Sequence, residues 1–203
     1  MRQLILMSIA FVGIALSQIT NDYQGKQYGG SFALAETGAS LSGYYRWPLW
    51  TNWTMGGIAE FHLLRDADQL DYRDPYTGII RTFNKVNNLY YFSLYGEIKK
   101  RIASESLDSS LRPFWVVGGG AIYALNYPEK FISQEGVVVD PDDEFSPGVQ
   151  ATVGLGIDIS TGRSFTLSIR PQYRFIYFQD PVAGRQDHSA VEIRFEFGTT
   201  KPH

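Results

Sequence analysis

The sequence predicts an all-β fold: a single antiparallel up-and-down transmembrane β-barrel of about eight strands, its polar interior filled by side chains. Three observations predict it. The N-terminus reads as an export signal, later segments alternate apolar and polar residues with a period of two, and the links between those segments alternate in length.

Met1-Arg2-Gln3 supplies one positive charge, Leu4 to Leu16 is almost wholly apolar, and Ala15-Leu16-Ser17 places small residues where a signal peptidase reads them. Residues 1–17 are therefore expected to be a cleaved signal peptide, and 18–203 a single barrel domain. The apolar run is too short for a spanning helix and no Lys/Arg cluster follows it. No cysteine stands at the cleavage point, which excludes a lipoprotein anchor, and none occurs elsewhere, so disulfides do not hold the exported chain together. The formal charge of −3 becomes one unit more negative when Arg2 leaves with the signal, which argues against nucleic acid as a partner. No later segment suits a transmembrane helix, so a membrane would be crossed by strands. Abundant Tyr, Phe and Gly agree with that.

The last strand is the clearest. Val191, Ile193, Phe195 and Phe197 share one face, and Glu192, Arg194 and Glu196 the other. The same division recurs over 164–178, where Arg170 and Arg174 lie opposite a row of rings and aliphatics. It recurs over 149–159, with Asp158 on the polar side, and over 90–99, with Glu97 and Lys99. Over 53–63 Glu60 and His62 take the polar face, and over 40–47 Arg46 does. Two segments are weaker: 26–35, and 112–125, which is apolar on both faces and contains Gly118-Gly119-Gly120. Those glycines are read as a bend or a close side-chain approach rather than a phosphate loop, because neither a helix pattern nor a suitably placed lysine follows.

Strands near 26–35, 39–47, 53–65, 88–101, 112–125, 147–159, 164–178 and 189–198 leave short links at 48–52, 102–111 and 160–163, long ones at 66–87 and 126–146, and an intermediate one at 179–188. Short periplasmic turns alternating with longer extracellular loops are the habit of outer-membrane barrels, although the link at 36–38 is a tight turn on the outer side. Trp47, Trp50, Trp53, Tyr90, Trp115, Tyr173, Tyr177 and Phe197 lie toward strand ends, as interfacial girdles require. The rival architecture is a soluble lipocalin-like barrel with the faces reversed. The absence of cysteine, the scarcity of Lys on strand faces and bulky apolar rows opposite mixed charges weigh against it.

The signal, the dyad-repeat hairpins and the terminal Val191-x-Ile193-x-Phe195-x-Phe197 resemble the small bacterial outer-membrane β-barrel superfamily, the OmpA-, OmpX- and OmpW-like proteins with an outer membrane protein beta-barrel domain. The resemblance covers nearly all of the mature chain as pattern rather than as diagnostic identity. It implies a Gram-negative outer-membrane location, and lipid, lipopolysaccharide and, during biogenesis, the barrel-assembly machinery as partners. It also implies that Val191, Ile193, Phe195 and Phe197 form the C-terminal sorting signal. The chain departs from that pattern by continuing through Gly198 to His203. Members differ in activity, so fold alone does not assign one.

The candidate site is a lumenal polar network of Arg46, Glu60, Glu97, Lys99, Asp158, Arg170, Arg174, Glu192, Arg194 and Glu196. In so narrow a barrel charges of both signs should pair, since unpaired burial costs several kcal/mol each. The expected role is structural or surface-interacting, through the loops at 66–87 and 126–146; the alternatives are a narrow pore for small solutes and, further off, a lipid-modifying enzyme. Catalysis would need a nucleophile and a base within reach. His62 with Ser42 or Ser93 is the available pairing, and it points into the lumen, away from lipid. The His-x-Ser-Asn arrangement of lipid A deacylases is missing. No enzyme, cofactor or metal site is therefore assigned. The acids at Asp140, Asp142, Asp143 and Glu144 lack an EF-hand spacing and read as a solvated loop.

Overall fold

The computed structural model describes residues 25–65, 70–73, 80–83, 87–102, 111–132, 138–139, 141–161 and 165–201. The expected signal segment lies outside them, as do Asp140 and much of the link at 66–87.

In chain order the strands are β1 (Lys26–Ala35), β2 (Gly38–Trp50), β3 (Trp53–Leu64), β4 (Leu70–Arg73), β5 (Ile80–Phe83), β6 (Leu89–Arg101), β7 (Leu111–Asn126), β8 (Phe131–Ile132), β9 (Val138–Val139), β10 (Glu144–Thr161), β11 (Phe165–Val182), β12 (Arg185–Asp187) and β13 (Ala190–Lys201). Eight of these close on themselves in the order β1-β2-β3-β6-β7-β10-β11-β13, with every neighbouring pair antiparallel and β13 returning to β1. Closure leaves no open sheet edge, the condition for strands to stand in lipid. The strands sit where the alternation places them, but β2, β10 and β11 run longer. The long links hold two short ladders of their own, β4–β5 and β8–β9. The link at 179–188 is a hairpin: β11 runs on to Val182, turns through Ala183 and Gly184, both with positive φ (49° and 75°), and returns as β12.

Both ends of the barrel wall lie together, since Lys26 pairs with Lys201. The turn between β2 and β3 and the link from β10 to β11 share that end; the hairpin extensions stand at the opposite one. β13 does not stop at Phe197. Gly198, Thr199, Thr200 and Lys201 continue its pairing with β1, so the residues beyond the terminal aromatic complete the closing seam. There Gly29 faces Gly198, and a Cβ added to Gly198 would meet the Tyr44 hydroxyl at 2.1 Å. Outside the same seam Phe32 stacks on Phe195 and Phe197, with centroids 4.9 and 6.0 Å apart.

The two faces of the wall are inverted relative to a water-soluble protein. Leu41, Leu94, Val149 and Val191 are 64–68% exposed on the outside, whereas Arg46, Arg170, Arg174 and Arg194 are at most 2% exposed within. Only a hydrocarbon surround makes that arrangement favourable. The outward series on β6, Tyr90, Phe92, Leu94, Gly96 and Ile98, reaches Lys100 after ten residues. At ~3.3 Å per residue and a tilt of ~40°, this spans about 25 Å, the height of a transmembrane apolar band.

Candidate functional site

Strand alternation turns every second side chain inward, and all ten charged residues expected in the lumen are buried there. They do not form one continuous chain of ion pairs. They fall into two rings of four, with a further group at the end that holds the termini.

In the first ring Arg46 of β2 donates through both terminal nitrogens to Glu196 of β13, at 2.9 and 2.8 Å. Its Nε donates to Glu97 of β6 at 2.5 Å. Arg170 of β11 closes the circuit, donating to the other oxygen of Glu97 at 2.9 Å and lying 3.2 Å from Glu196. Each carboxylate thus bridges both guanidiniums. Two positive and two negative charges cancel, and the planar donor fork of Arg suits such bridging better than Lys would.

The second ring repeats the plan nearer the extensions. Arg174 of β11 donates to Glu60 at 2.9 Å and to Glu192 at 2.7 Å; Arg194 of β13 donates to the same two residues at 2.5 and 3.2 Å. Tyr95 and Ser40 hydroxyls also donate to Glu60, and Gln172 donates to Glu192. Below the first ring Asp158 accepts from Lys99 (2.6 Å), Ser168 (2.5 Å) and Arg101 (3.4 Å), and Lys99 sits 3.7 Å from the Phe114 ring centroid. Arg101 was missed by the sequence reading although it shares the inward face with Glu97 and Lys99; its place at the end of a strand beside a link concealed it.

The interior is not polar throughout. At the extension end Leu89, Tyr91, Ile122, Ala124, Ile176, Phe178 and Val182 form an apolar cluster inside the wall. Val182 arrives from the β11–β12 hairpin, which leans over the opening. Ala183 N–H donates to Glu144 at 2.7 Å, and Asp180 N–H to the Ser146 hydroxyl at 3.0 Å. His188 packs edge-on against Tyr91 and Phe178, and its Nε2 lies 3.1 and 3.2 Å from the Val182 and Arg185 carbonyls, so it carries the proton and donates. Burial holds the His188 imidazole below the usual histidine value, outweighing those two carbonyl acceptors. Beside this cap, under the short β1–β2 turn, a shallow recess opens outward over Ser40, His62, Arg174, His188 and Glu192.

The His62–Ser93 pairing considered from sequence is a long contact with a guanidinium closer to the same nitrogen. His62 Nε2 is 3.4 Å from the Ser93 hydroxyl but 2.7 Å from an Arg174 nitrogen. The guanidinium occupies the lone pair a general base would need. Among the described residues no group of three or more His, Cys, Asp or Glu is arranged to hold a metal ion. In the acidic loop Glu144 acts as an internal acceptor, taking a bond from Asn126 at 2.9 Å. Val191, Ile193, Phe195 and Phe197 all face outward along β13, the position expected of them.

A closed antiparallel barrel, apolar outside and charge-paired inside, defines a membrane-spanning β-barrel. Its fold is that of the small eight-stranded outer-membrane barrels. Neisserial surface protein A superposes over 88% of this chain and 96% of its own with a TM-score of 0.53 at 11% identity. Ail, the attachment invasion locus protein of Yersinia pestis, matches at 13% identity over 87% of this chain and 97% of its own (TM-score 0.40). OprG of Pseudomonas aeruginosa matches at 10% identity over 92% and 100% (TM-score 0.43). Such identities speak to fold alone. No protein-family model and no curated protein matches the chain.

Proposed function

We propose that the protein resides in the outer membrane as a sealed barrel and acts through its extracellular extensions, as a structural or surface-interaction protein rather than a channel or an enzyme. In this orientation the end holding Lys26 and Lys201 faces the periplasm and the hairpin extensions face outward. The observation that carries the reading is the stacking, along one narrow lumen, of two charge-neutral rings beneath an apolar cap. An ion crossing it would have to break bridges that are fully desolvated and then pass Tyr91, Ile122 and Phe178. The inward row of β13 that supplies Glu192, Arg194 and Glu196 alternates with Val191, Ile193, Phe195 and Phe197, whose outward face suits engagement by the assembly machinery and then by lipid.

A second reading, a narrow conduit, has one observation in its favour. The buried amide of Gln150 and hydroxyl of Thr152, beside Gly118, have no hydrogen-bond partner, so part of the lining is uncommitted. Planar-bilayer recording of the refolded protein separates the two readings. The sealed barrel predicts no discrete conductance, and replacing Phe178 and Val182 by Ala should not produce one while both rings remain. Discrete channels in the unaltered protein would overturn the proposal.

A further inference from the structure

The four tryptophans of the chain do not encircle the barrel. Trp47 and Trp50 lie at the end of β2, Trp53 opens β3 and Trp115 lies early in β7, so all gather at the termini end on one side. Their rings touch in sequence: Trp50 meets Trp53 edge to face at 6.2 Å, and Trp53 meets Trp115 at 5.2 Å. The Lys100 ammonium of β6 sits 4.9 Å from the Trp53 ring centroid. Lys26, exposed at the start of β1, flanks the patch beside the end of β2.

At the same end the outward residues of β10 and β11 are Leu155, Ile157, Ile159, Phe165 and Leu167, with neither Trp nor Lys. Ordinary interfacial anchoring would place indoles on every side of the barrel. The wall around the patch also carries no outward acid. Across β1, β2, β3, β6 and β7 the only carboxylates are Glu60 and Glu97, and both are sealed in the lumen. Among the described residues Lys100 therefore faces out with no acid on the outer surface of its own or adjoining strands, and it ends an apolar outward row one bilayer thickness long. That is the depth of lipid headgroups.

We infer that the patch centred on Trp53, Lys100 and Trp115 is a docking site for an anionic glycerophospholipid of the periplasmic leaflet. The lipid phosphate pairs with Lys100, indole N–H groups of the cluster provide donors at the same depth, and the acyl chains lie along Met55, Ile98 and Val117. Lys26 adds positive potential at the flank. A zwitterionic headgroup would bring its own cation against Lys100 and gain less. The inference rests on the membrane-barrel reading but not on the sealed lumen.

The tryptophans themselves report on the test, because every one of them lies in the patch. The protein is reconstituted into phosphatidylcholine vesicles that contain a small, equal mole fraction of either brominated phosphatidylglycerol or brominated phosphatidylcholine, and fluorescence quenching is compared. The brominated phosphatidylglycerol should quench at about fivefold lower mole fraction, the worth of one lysine near an anionic headgroup. Lys100→Gln should bring the two lipids level, and Lys100→Arg should restore the difference. Equal quenching in the unaltered protein, or a preference that survives Lys100→Gln, would overturn the site while leaving the barrel in the membrane. Quenching by neither lipid would overturn the membrane reading and the site together.

Discussion

Arg46 and Glu196, separated by 150 positions, meet through two hydrogen bonds of 2.9 and 2.8 Å inside the closing seam. β1 lies between their strands, so this bidentate pair ties the second strand to the last over the top of the first and holds the closure from within.

Because the ring is neutral as a unit, removing one member should cost more than removing two. Glu196→Ala leaves Arg46 and Arg170 facing Glu97 alone, with a buried positive charge uncompensated; a loss of about 3–5 kcal/mol is expected. Replacing Arg46 and Glu196 together by Met and Leu leaves Arg170 paired with Glu97, and the loss should be much smaller, so the two changes should be strongly non-additive. Urea unfolding of the lipid-reconstituted protein, followed by heat-modifiable gel migration, measures both. Additive losses would show that the ring does not act as a unit.

Much of this was legible in the sequence because strand alternation is a binary code. Parity alone assigns Glu60, Arg174 and Arg194 to the inside, and neutrality demands that they pair. Parity does not say who pairs with whom, since Arg46 and Glu97 sit on strands that are not neighbours and meet only when the wall curls. The apolar cap was not legible for a different reason. Tyr91, Ile122 and Phe178 occupy inward positions of segments that are apolar or aromatic on their outward side too, so the contrast that marks a face vanishes there. Val182 and His188 come from a stretch that reads as a link. The glycines at 118–120 were legible as a close approach: a Cβ at Gly120 would fall 2.4–2.6 Å from Leu94 O and the Tyr95 Cα and Cβ.

The seam makes a second prediction. Tyr44 lies across Gly198 with its ring 4.1 Å from the Arg46 guanidinium carbon, so the glycine is the floor on which a ring-capping tyrosine rests. Gly198→Val should push the phenol into Arg46 and lower stability by roughly 1–3 kcal/mol through overpacking. Trimming the tyrosine in the same background, Tyr44→Ala with Gly198→Val, should recover part of the refolding yield despite its own lost packing. If the double variant refolds no better than Gly198→Val alone, the contact is not the reason for the glycine.

The hairpin cap should respond to acid, and the sign follows from His188. Burial depresses its folded-state value below the ordinary one near 6.5, so the packed cap binds fewer protons than an open one. The stability it contributes is complete above that ordinary value and is lost as pH falls through the lowered one. Other charges near it modulate the effect without reversing it: Arg185 opposes protonation and Asp187 favours it. Asp187, held below the usual carboxylate value by its bonds to Ser189, stays ionised across the same window. Methyl NMR of Val182 should therefore show one packed state at pH 7.5 and growing exchange with an open state toward pH 5. In His188→Gln, whose amide N–H can still reach the Val182 carbonyl, the pH dependence should vanish while the packed signal remains. Exchange that grows equally in that variant would assign the acid response to another group, with His62, which shares the recess, the first to test.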